Sequence, residues 1–434
     1  DVISGCVNQD VTLKIRVTKV YEDSTVAKIL ELVENASSKK ARLENFITRF
    51  AKYYTPVVTI GAALLAVIPP LILGGGWANW ISRACIFLIV SCPCALVISV
   101  PLGFFGGIGA SSRIGVLVKG SNYLEAIAST DTILMDKTGT LTEGRLKVER
   151  IETEKGVSKE DFMDYLLAAE SRSNHPLARA IIGERDVSAY SNEISEYEEI
   201  AGFGVRLVYK GHKVVAGKLG LLKEGVAEKE RKLTGTIIEV AVDDKFLGFV
   251  ELEDTIRPTS KDMVMGLRQM GVKSVLLSGD RVESVENVAK KLSLDEFHGG
   301  LHPEDKTKIL QSKLNAKEGT VAFVGDGIND APSIALSDVG VAMGAFGSDL
   351  AIENADVVLM DDDPAKIITA KKIARSTENR ALFNIIVALI SKVAAMVLSI
   401  AWAGFPLWLA VLLDSGRAVL LVFSSLLLFA KKVR

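Results

Sequence analysis

Apolar and charged positions are segregated along this chain. Residues 53–82 carry no charge, Arg83 intervenes, and residues 84–112 are again uncharged. A third apolar stretch covers 381–413 and is broken only by Lys392; a fourth follows Asp414 and Arg417 and ends at Ala430. A helix that spans a bilayer needs about 20 mostly apolar residues, and uncharged runs of this length are rare in soluble cores. The pattern predicts four membrane helices near 55–75, 82–108, 382–402 and 406–429. Gly74-Gly75-Gly76-Trp77 and Ala403-Gly404-Phe405-Pro406 join them in pairs as tight turns with interfacial Trp.

Between the pairs the period changes. Short apolar runs at 132–135, 274–277, 321–324, 339–342 and 357–360 alternate with amphipathic helical patterns such as 257–270 and 282–292. This alternation predicts a parallel sheet with helices on both faces, where ligands sit beyond the carboxyl ends of the strands. Residues 143–254 break the alternation with a charged insertion whose strands are expected near 197–200, 204–209, 214–216, 236–242 and 245–251.

Composition sharpens this picture. The 434 residues hold 51 Lys+Arg against 53 Asp+Glu, a net charge of −2, which gives no support for a nucleic-acid partner. With 49% hydrophobic and 24% charged residues, disorder and collagen-like repeats are excluded. The mean hydropathy of +0.29 is high for so charged a chain because it averages a charged head with nearly uncharged helices. Basic residues cluster at Lys39, Lys40, Arg42, Arg49 and Lys52, at Arg113 and Lys119, at Lys371, Lys372, Arg375 and Arg380, and at Lys431, Lys432 and Arg434. The positive-inside rule then places both termini and the middle segment in the cytoplasm, the expected membrane being the cell membrane. The four Cys, two of them in Cys92-Pro93-Cys94, do not form the framework of a small secreted domain.

Three acidic motifs close predicted strands. Asp136-Lys137-Thr138-Gly139-Thr140-Leu141-Thr142 offers a carboxylate able to attack phosphorus, with Gly139 and hydroxyls suited to a phosphate. Ser278-Gly279-Asp280 is the second, and Gly325-Asp326-Gly327-Ile328-Asn329-Asp330 the third. Carboxylates of this kind hold Mg²⁺ beside phosphate oxygens, and Lys306 is a cation available to offset phosphate charge.

In the membrane, Pro93 cannot donate a backbone hydrogen bond and so opens its helix. Thiolates of Cys92 and Cys94 at that break suit a soft or borderline metal such as Cu⁺, Zn²⁺ or Cd²⁺. An ionisable residue at membrane depth is a functional hypothesis. Asp414 is read as an oxygen ligand beside the sulfurs, and Lys392 as a built-in counter-ion that pairs with Asp414 when metal leaves. Mixed sulfur and oxygen ligation favours Zn²⁺ and Cd²⁺ over Cu⁺. Arg417 has no assigned role, and Cys85 is read as packing.

The seven residues from Asp136 resemble the phosphorylation motif of P-type ATPases, and the motif order is similar to their haloacid-dehalogenase-like domain. The resemblance implies Asp136 as the phosphorylated nucleophile, with Asp136, the Thr138 main chain and Asp326 holding Mg²⁺. Lys137, Lys306, Asn329, Asp330, Ser278, Gly279 and Asp280 would complete the phosphate site. Ser173-Asn174-His175-Pro176 and Gly202-Phe203-Gly204 resemble the nucleotide-binding insertion of the heavy-metal branch, implying ATP contacts at Glu170, His175, Gly202, Gly204 and Gly217. Cys92-Pro93-Cys94, Lys392 and Asp414 resemble the zinc/cadmium/lead-exporting subgroup; the copper-exporting branch is the alternative.

The expected fold is a multidomain membrane protein: an α-helical transmembrane bundle plus an α/β haloacid-dehalogenase-like phosphorylation domain with an inserted α+β nucleotide-binding domain. Residues 1–40 are expected as the tail of an actuator domain and 41–112 as the first helix pair. The phosphorylation domain is expected at 113–142 and 255–380, the nucleotide-binding domain at 143–254, and the second helix pair at 381–434. The resemblance further implies an actuator domain with its dephosphorylation loop and more membrane helices ahead of Asp1. The expected partners are the lipid bilayer, ATP and a heavy-metal ion.

Overall fold

The computed structural model describes residues 42–73, 76–92, 94–173, 175–183, 185–200, 203–218, 235–316, 319–326, 328–344, 349–402 and 405–430. The expected 1–40 segment, Gly202 and the side chain of Cys94 lie outside the described residues.

Thirteen strands are present among the described residues: β1 Val116–Val118, β2 Thr130–Asp136, β3 Thr142–Thr153, β4 Ile194–Ile200, β5 Gly204–Tyr209, β6 His212–Gly217, β7 Thr236–Val242, β8 Lys245–Ile256, β9 Lys273–Leu277, β10 Glu296–His298, β11 Thr320–Gly325, β12 Val339–Met343 and β13 Val357–Leu359. A seven-stranded sheet has the order β1-β13-β12-β11-β2-β9-β10. Within it β11 pairs β12, β12 pairs β13 and β9 pairs β10 in parallel, whereas β1 is an antiparallel edge on β13. The five apolar runs read from the sequence all fall in this sheet. β1 and β10 went unread because three residues are too few to show a period.

The six-stranded sheet, β3-β8-β7-β6-β5-β4, is antiparallel throughout. Its strands alternate: in β5, Val205, Leu207 and Tyr209 are buried and the residues between them are not. That inner face packs on Phe162 and Leu166 of the Lys159–Glu170 helix. Ser158 caps this helix by accepting from the Asp161 N–H at 3.0 Å. The insertion holds six strands rather than the expected five: β3 was hidden because its partly exposed, charged residues blur its alternation.

The described chain forms two compact units. One holds the residues up to Leu134, Met265–Ser274 and those from Asp305; the other holds Met135–Val264 and Val275–Glu304. The first unit carries the apolar helices. Three are long and apolar enough to cross a membrane: Lys52–Ile72, Lys366–Ala401 and Trp408–Ser425. The expected span 82–108 comprises two helices, Trp77–Ser91 and Cys94–Arg113, in keeping with the opening read at Pro93. The expected span 406–429 is helical from Leu407 and widens by one turn at Leu412–Gly416, which contains Asp414.

The Lys366–Ala401 helix divides lengthwise. Ala381, Asn384, Ala388, Lys392, Ala395 and Ser399 are buried at three- and four-residue steps, while Phe383, Ile386, Ile390, Val393 and Val397 are exposed. Lys392 therefore stands on the inner stripe of an otherwise apolar helix. On the same stripe, the Asn384 amide donates to Ser425 Oγ at 3.0 Å, and that hydroxyl donates to the Ser99 carbonyl at 3.0 Å.

Candidate functional site

Asp136 is the last residue of β2 and is buried. The chain then turns sharply: Thr138 is extended and Gly139 takes φ 72°, a left-handed conformation suited to glycine. The turn is held from behind. Arg257 Nε donates to the Thr142 carbonyl and Nη2 to the Gly139 carbonyl, both at 2.9 Å. Ser260 Oγ donates to the Leu141 carbonyl at 2.8 Å, and Thr142 Oγ1 to the Lys137 carbonyl at 2.9 Å. Lys137 forms an ion pair with Asp280, so the second acidic motif meets the first loop. Ser278 organises its own loop: its N–H donates to the His298 carbonyl at 3.0 Å, and its Oγ accepts from the Asp280 N–H at 3.2 Å. Gly279 sits where a Cβ would come 3.1 Å from the Leu301 carbonyl.

Sequence reasoning missed Arg257 and Ser260. They lie at a strand-to-helix junction that reads as ordinary punctuation, and only the fold brings them under the Asp136 loop.

The third motif follows β11. Lys306 Nζ lies 2.9 Å from Asp330 Oδ1, both buried. Asp326 and Asp330 offer carboxylate oxygens within 4.8 Å of one another. Burial and the charge of Asp330 push the Asp326 carboxyl up to about 6, against the opposing pull of Lys306. Two carboxylates face one ammonium here, and this hard-oxygen, electron-rich set fits Mg²⁺. Gly325 permits the approach, since a Cβ there would meet Asp330 Cβ at 2.7 Å. Asn329 is exposed in the short turn Ile328–Asp330.

In the insertion, His175 caps the Pro176–Ile182 helix, Nδ1 accepting from the Leu177 N–H at 3.2 Å. That bond leaves Nε2 as the other functional nitrogen of an exposed ring. Gly204 and Gly217 are direct cross-strand partners. A Cβ on Gly204, at φ 155°, would meet the Ala216 carbonyl oxygen at 2.2 Å, so close strand pairing alone requires glycine there. Glu170 ends its helix buried, and burial, aided by the charge of Glu199, pushes its carboxyl up to about 7.

The membrane residues converge on the helix break. Lys392 Nζ lies 3.6 Å from Asp414 Oδ1 and also donates to the Cys92 carbonyl at the helix break. Arg417, unassigned from sequence, lies against the same carboxylate: Nη2 is 3.1 Å from Asp414 Oδ1, and Nη1 donates to Ser391 Oγ at 2.8 Å. Tyr54 Oη donates to the Ser91 carbonyl at 2.7 Å, a second bond at the end of the broken helix. Cys92 is the residue that closes the Trp77–Ser91 helix. Cys85 is free and exposed rather than packed.

Residues 130–338 match the haloacid dehalogenase-like hydrolase family. The crystal structure of a zinc-transporting PIB-type ATPase superposes with a TM-score of 0.88 at 35% identity, covering 95% of this chain and 68% of that one. The chain belongs to the PIB-type ATPases. Two curated relatives extend the comparison. The cadmium, zinc and cobalt-transporting ATPase of Bacillus subtilis (strain 168) is 45% identical over 98% of this chain and 61% of its own length. The zinc-transporting ATPase of Synechocystis sp. (strain ATCC 27184 / PCC 6803 / Kazusa) is 43% identical over 98% of this chain and 59% of its own. The chain thus spans about three fifths of the length of these relatives. As a PIB-type ATPase with helices long enough to cross a bilayer, it is a membrane protein.

Proposed function

We propose that the protein exports a divalent heavy-metal cation, Zn²⁺, Cd²⁺ or Pb²⁺, using ATP and an aspartyl-phosphate at Asp136. The observation that carries the reading is the gathering of Lys392, Asp414 and the Cys92 carbonyl at one helix break. A pump needs a polar site inside the membrane, and in this chain such a site occurs beside the Cys-Pro-Cys motif. The two relatives are named as transporters of zinc and of cadmium, zinc and cobalt, which supports the divalent choice.

In this mechanism an Asp136 oxygen attacks the γ-phosphorus of ATP, the bond to the β–γ bridging oxygen breaks, and ADP leaves. The Gly139 turn, braced by Arg257 and Ser260, presents backbone amides to the phosphoryl group. Asp326, Asp136 and the Thr138 main chain would hold Mg²⁺, which offsets charge on the phosphoryl oxygens. Lys137, Lys306, Ser278, Gly279, Asp280, Asn329 and Asp330 complete the surroundings. His175, Glu170, Gly202, Gly204 and Gly217 are assigned to ATP, in a nucleotide-binding domain at 143–254 flanked by the two parts of the phosphorylation domain. The thiolates of Cys92 and Cys94 with Asp414 take the metal from the cytoplasm, and Lys392 replaces its charge on Asp414 after release. The catalytic head and both termini lie on the cytoplasmic side of the cell membrane, as the basic clusters direct.

The test is a metal panel on aspartyl-phosphate formation in the full-length protein, run beside Asp136→Asn and Asp414→Ala. Phosphorylation stimulated by Zn²⁺ or Cd²⁺, absent in Asp136→Asn and no longer metal-dependent in Asp414→Ala, is the expected result. Dependence on Cu⁺ alone would sink the divalent reading.

A further inference from the structure

The Lys366–Ala401 helix carries a basic cleft at the place where it meets the membrane. The cleft has a volume of about 540 Å³ and is lined by Lys372, Arg375, Asn379 and Arg380 with Met270 and Phe383. No carboxylate lines it among the described residues. Lys372, Arg375 and Asn379 are exposed. Arg375 Nε donates to the Ala128 carbonyl at 3.3 Å and Arg380 Nη1 to Ser424 Oγ at 3.1 Å. Each guanidinium is oriented by one such bond and retains further N–H donors.

Position along the helix says what this charge faces. The uncharged run begins at Ala381, one residue after Arg380. From the apolar lip at Phe383 the exposed stripe continues through Ile386, Ile390, Val393 and Val397. These steps of three and four residues keep one helix face, the same face that bears the cleft. Three cations thus stand directly above a stripe of lipid-facing apolar side chains. A molecule that matches both parts carries an anionic phosphate at one end and hydrocarbon at the other.

We infer that this cleft is a binding site for the headgroup of an anionic phospholipid of the inner leaflet. Its phosphate lies among Lys372, Arg375 and Arg380, and its acyl chains lie along Phe383, Ile386 and Ile390. The inference rests on the membrane placement proposed above. Basic pockets at this depth bind acidic headgroups, and each cation contributes about 1 kcal/mol near an anionic surface.

The experiment has two stages. Membranes holding the full-length protein are washed with alkaline carbonate. Release of the chain would overturn the membrane placement itself, and with it the lipid site. The retained protein is then purified in detergent and titrated with phosphatidylglycerol or phosphatidylcholine, with bound lipid counted by native mass spectrometry. Phosphatidylglycerol should be held preferentially, and its affinity should fall about fivefold for each cation removed in Lys372→Gln and in Lys372→Gln/Arg375→Gln. Lys52→Glu, at the start of another span, should keep the preference. Equal retention of the two lipids overturns the site, as does equal loss in Lys52→Glu and Lys372→Gln. Displacement of phosphatidylglycerol by millimolar inorganic phosphate would assign the cleft to a soluble anion and overturn the lipid.

Discussion

Arg417 Nη2 lies 3.1 Å from Asp414 Oδ1, closer than the 3.6 Å that separates Lys392 from the same oxygen. The carboxylate assigned to the cargo therefore already has two cationic partners. A guanidinium does not lose its proton in a protein, so this charge is permanent. Asp414 reaches a metal only by leaving Arg417. Replacing Arg417 with Met should strengthen Zn²⁺ binding, by about tenfold if one ion pair of about 1.4 kcal/mol is removed. Asp414→Asn should weaken it. Competition against a chromophoric chelator measures both, and weaker binding in Arg417→Met would show that Arg417 does not compete for the carboxylate.

Lys371 is another buried cation, with a different task. Its Nζ donates to the carbonyls of Ile127, Ala128 and Thr130, at 3.0, 2.9 and 2.6 Å. These are carbonyls at the end of the Ser121–Ser129 helix, where a cation is favoured. The bonds tie a membrane-crossing helix to the first residue of β2. Lys371→Met removes all three bonds; the Ile127 carbonyl keeps the Thr130 N–H and the Ala128 carbonyl keeps Arg375, so the change should cost about 2 kcal/mol. A thermal-denaturation series including Lys371→Arg tests this; a Met variant as stable as the parent would contradict it.

The loop after Asp136 depends on Arg257 for two of its carbonyl contacts. Arg257→Ala should slow aspartyl-phosphate formation by about 10²-fold through loss of positioning. Ser260→Ala removes one neutral hydrogen bond and should cost about tenfold at most. Single-turnover phosphorylation with labelled ATP separates the two, and equal rates in all three proteins would remove Arg257 from the positioning role.

Glu170 gives a pH signature. Its carboxyl is raised from 4.5 to about 7 by burial and by Glu199. Between those values the folded state holds a proton that the unfolded state has released. The contribution to stability is therefore fully present below about 4.5 and is lost as pH rises towards about 7. Glu170→Gln cannot ionise and should flatten that slope, gaining on the order of 3 kcal/mol relative to the parent above neutrality. Urea unfolding followed by a probe in the six-stranded sheet, at pH 5 and pH 8, measures it. An unchanged slope in Glu170→Gln would assign the pH dependence elsewhere.

Much of this protein was legible in its sequence because the relevant physics is local. Uncharged runs flanking Cys92 and Lys392 announce membrane helices, since hydrocarbon rejects charge whatever the tertiary packing. The apolar runs of β9, β11, β12 and β13 announce strands of a buried parallel sheet, and Pro93 announces a broken helix. The chemistry of Asp136 was readable because seven adjacent residues carry it. Tertiary structure alone decided what depends on residues distant in the chain. Arg257 reaches Gly139 across 118 positions, and Lys371 reaches Ile127 across 244. Gly204 is glycine because β6 passes 2.2 Å from where its Cβ would stand. Arg417 looked like a stray charge until packing set it against Ser391, 26 positions away, while it pairs with Asp414 three residues before it. Periodicity records which face a residue occupies; which partner waits on that face is set by how the faces pack.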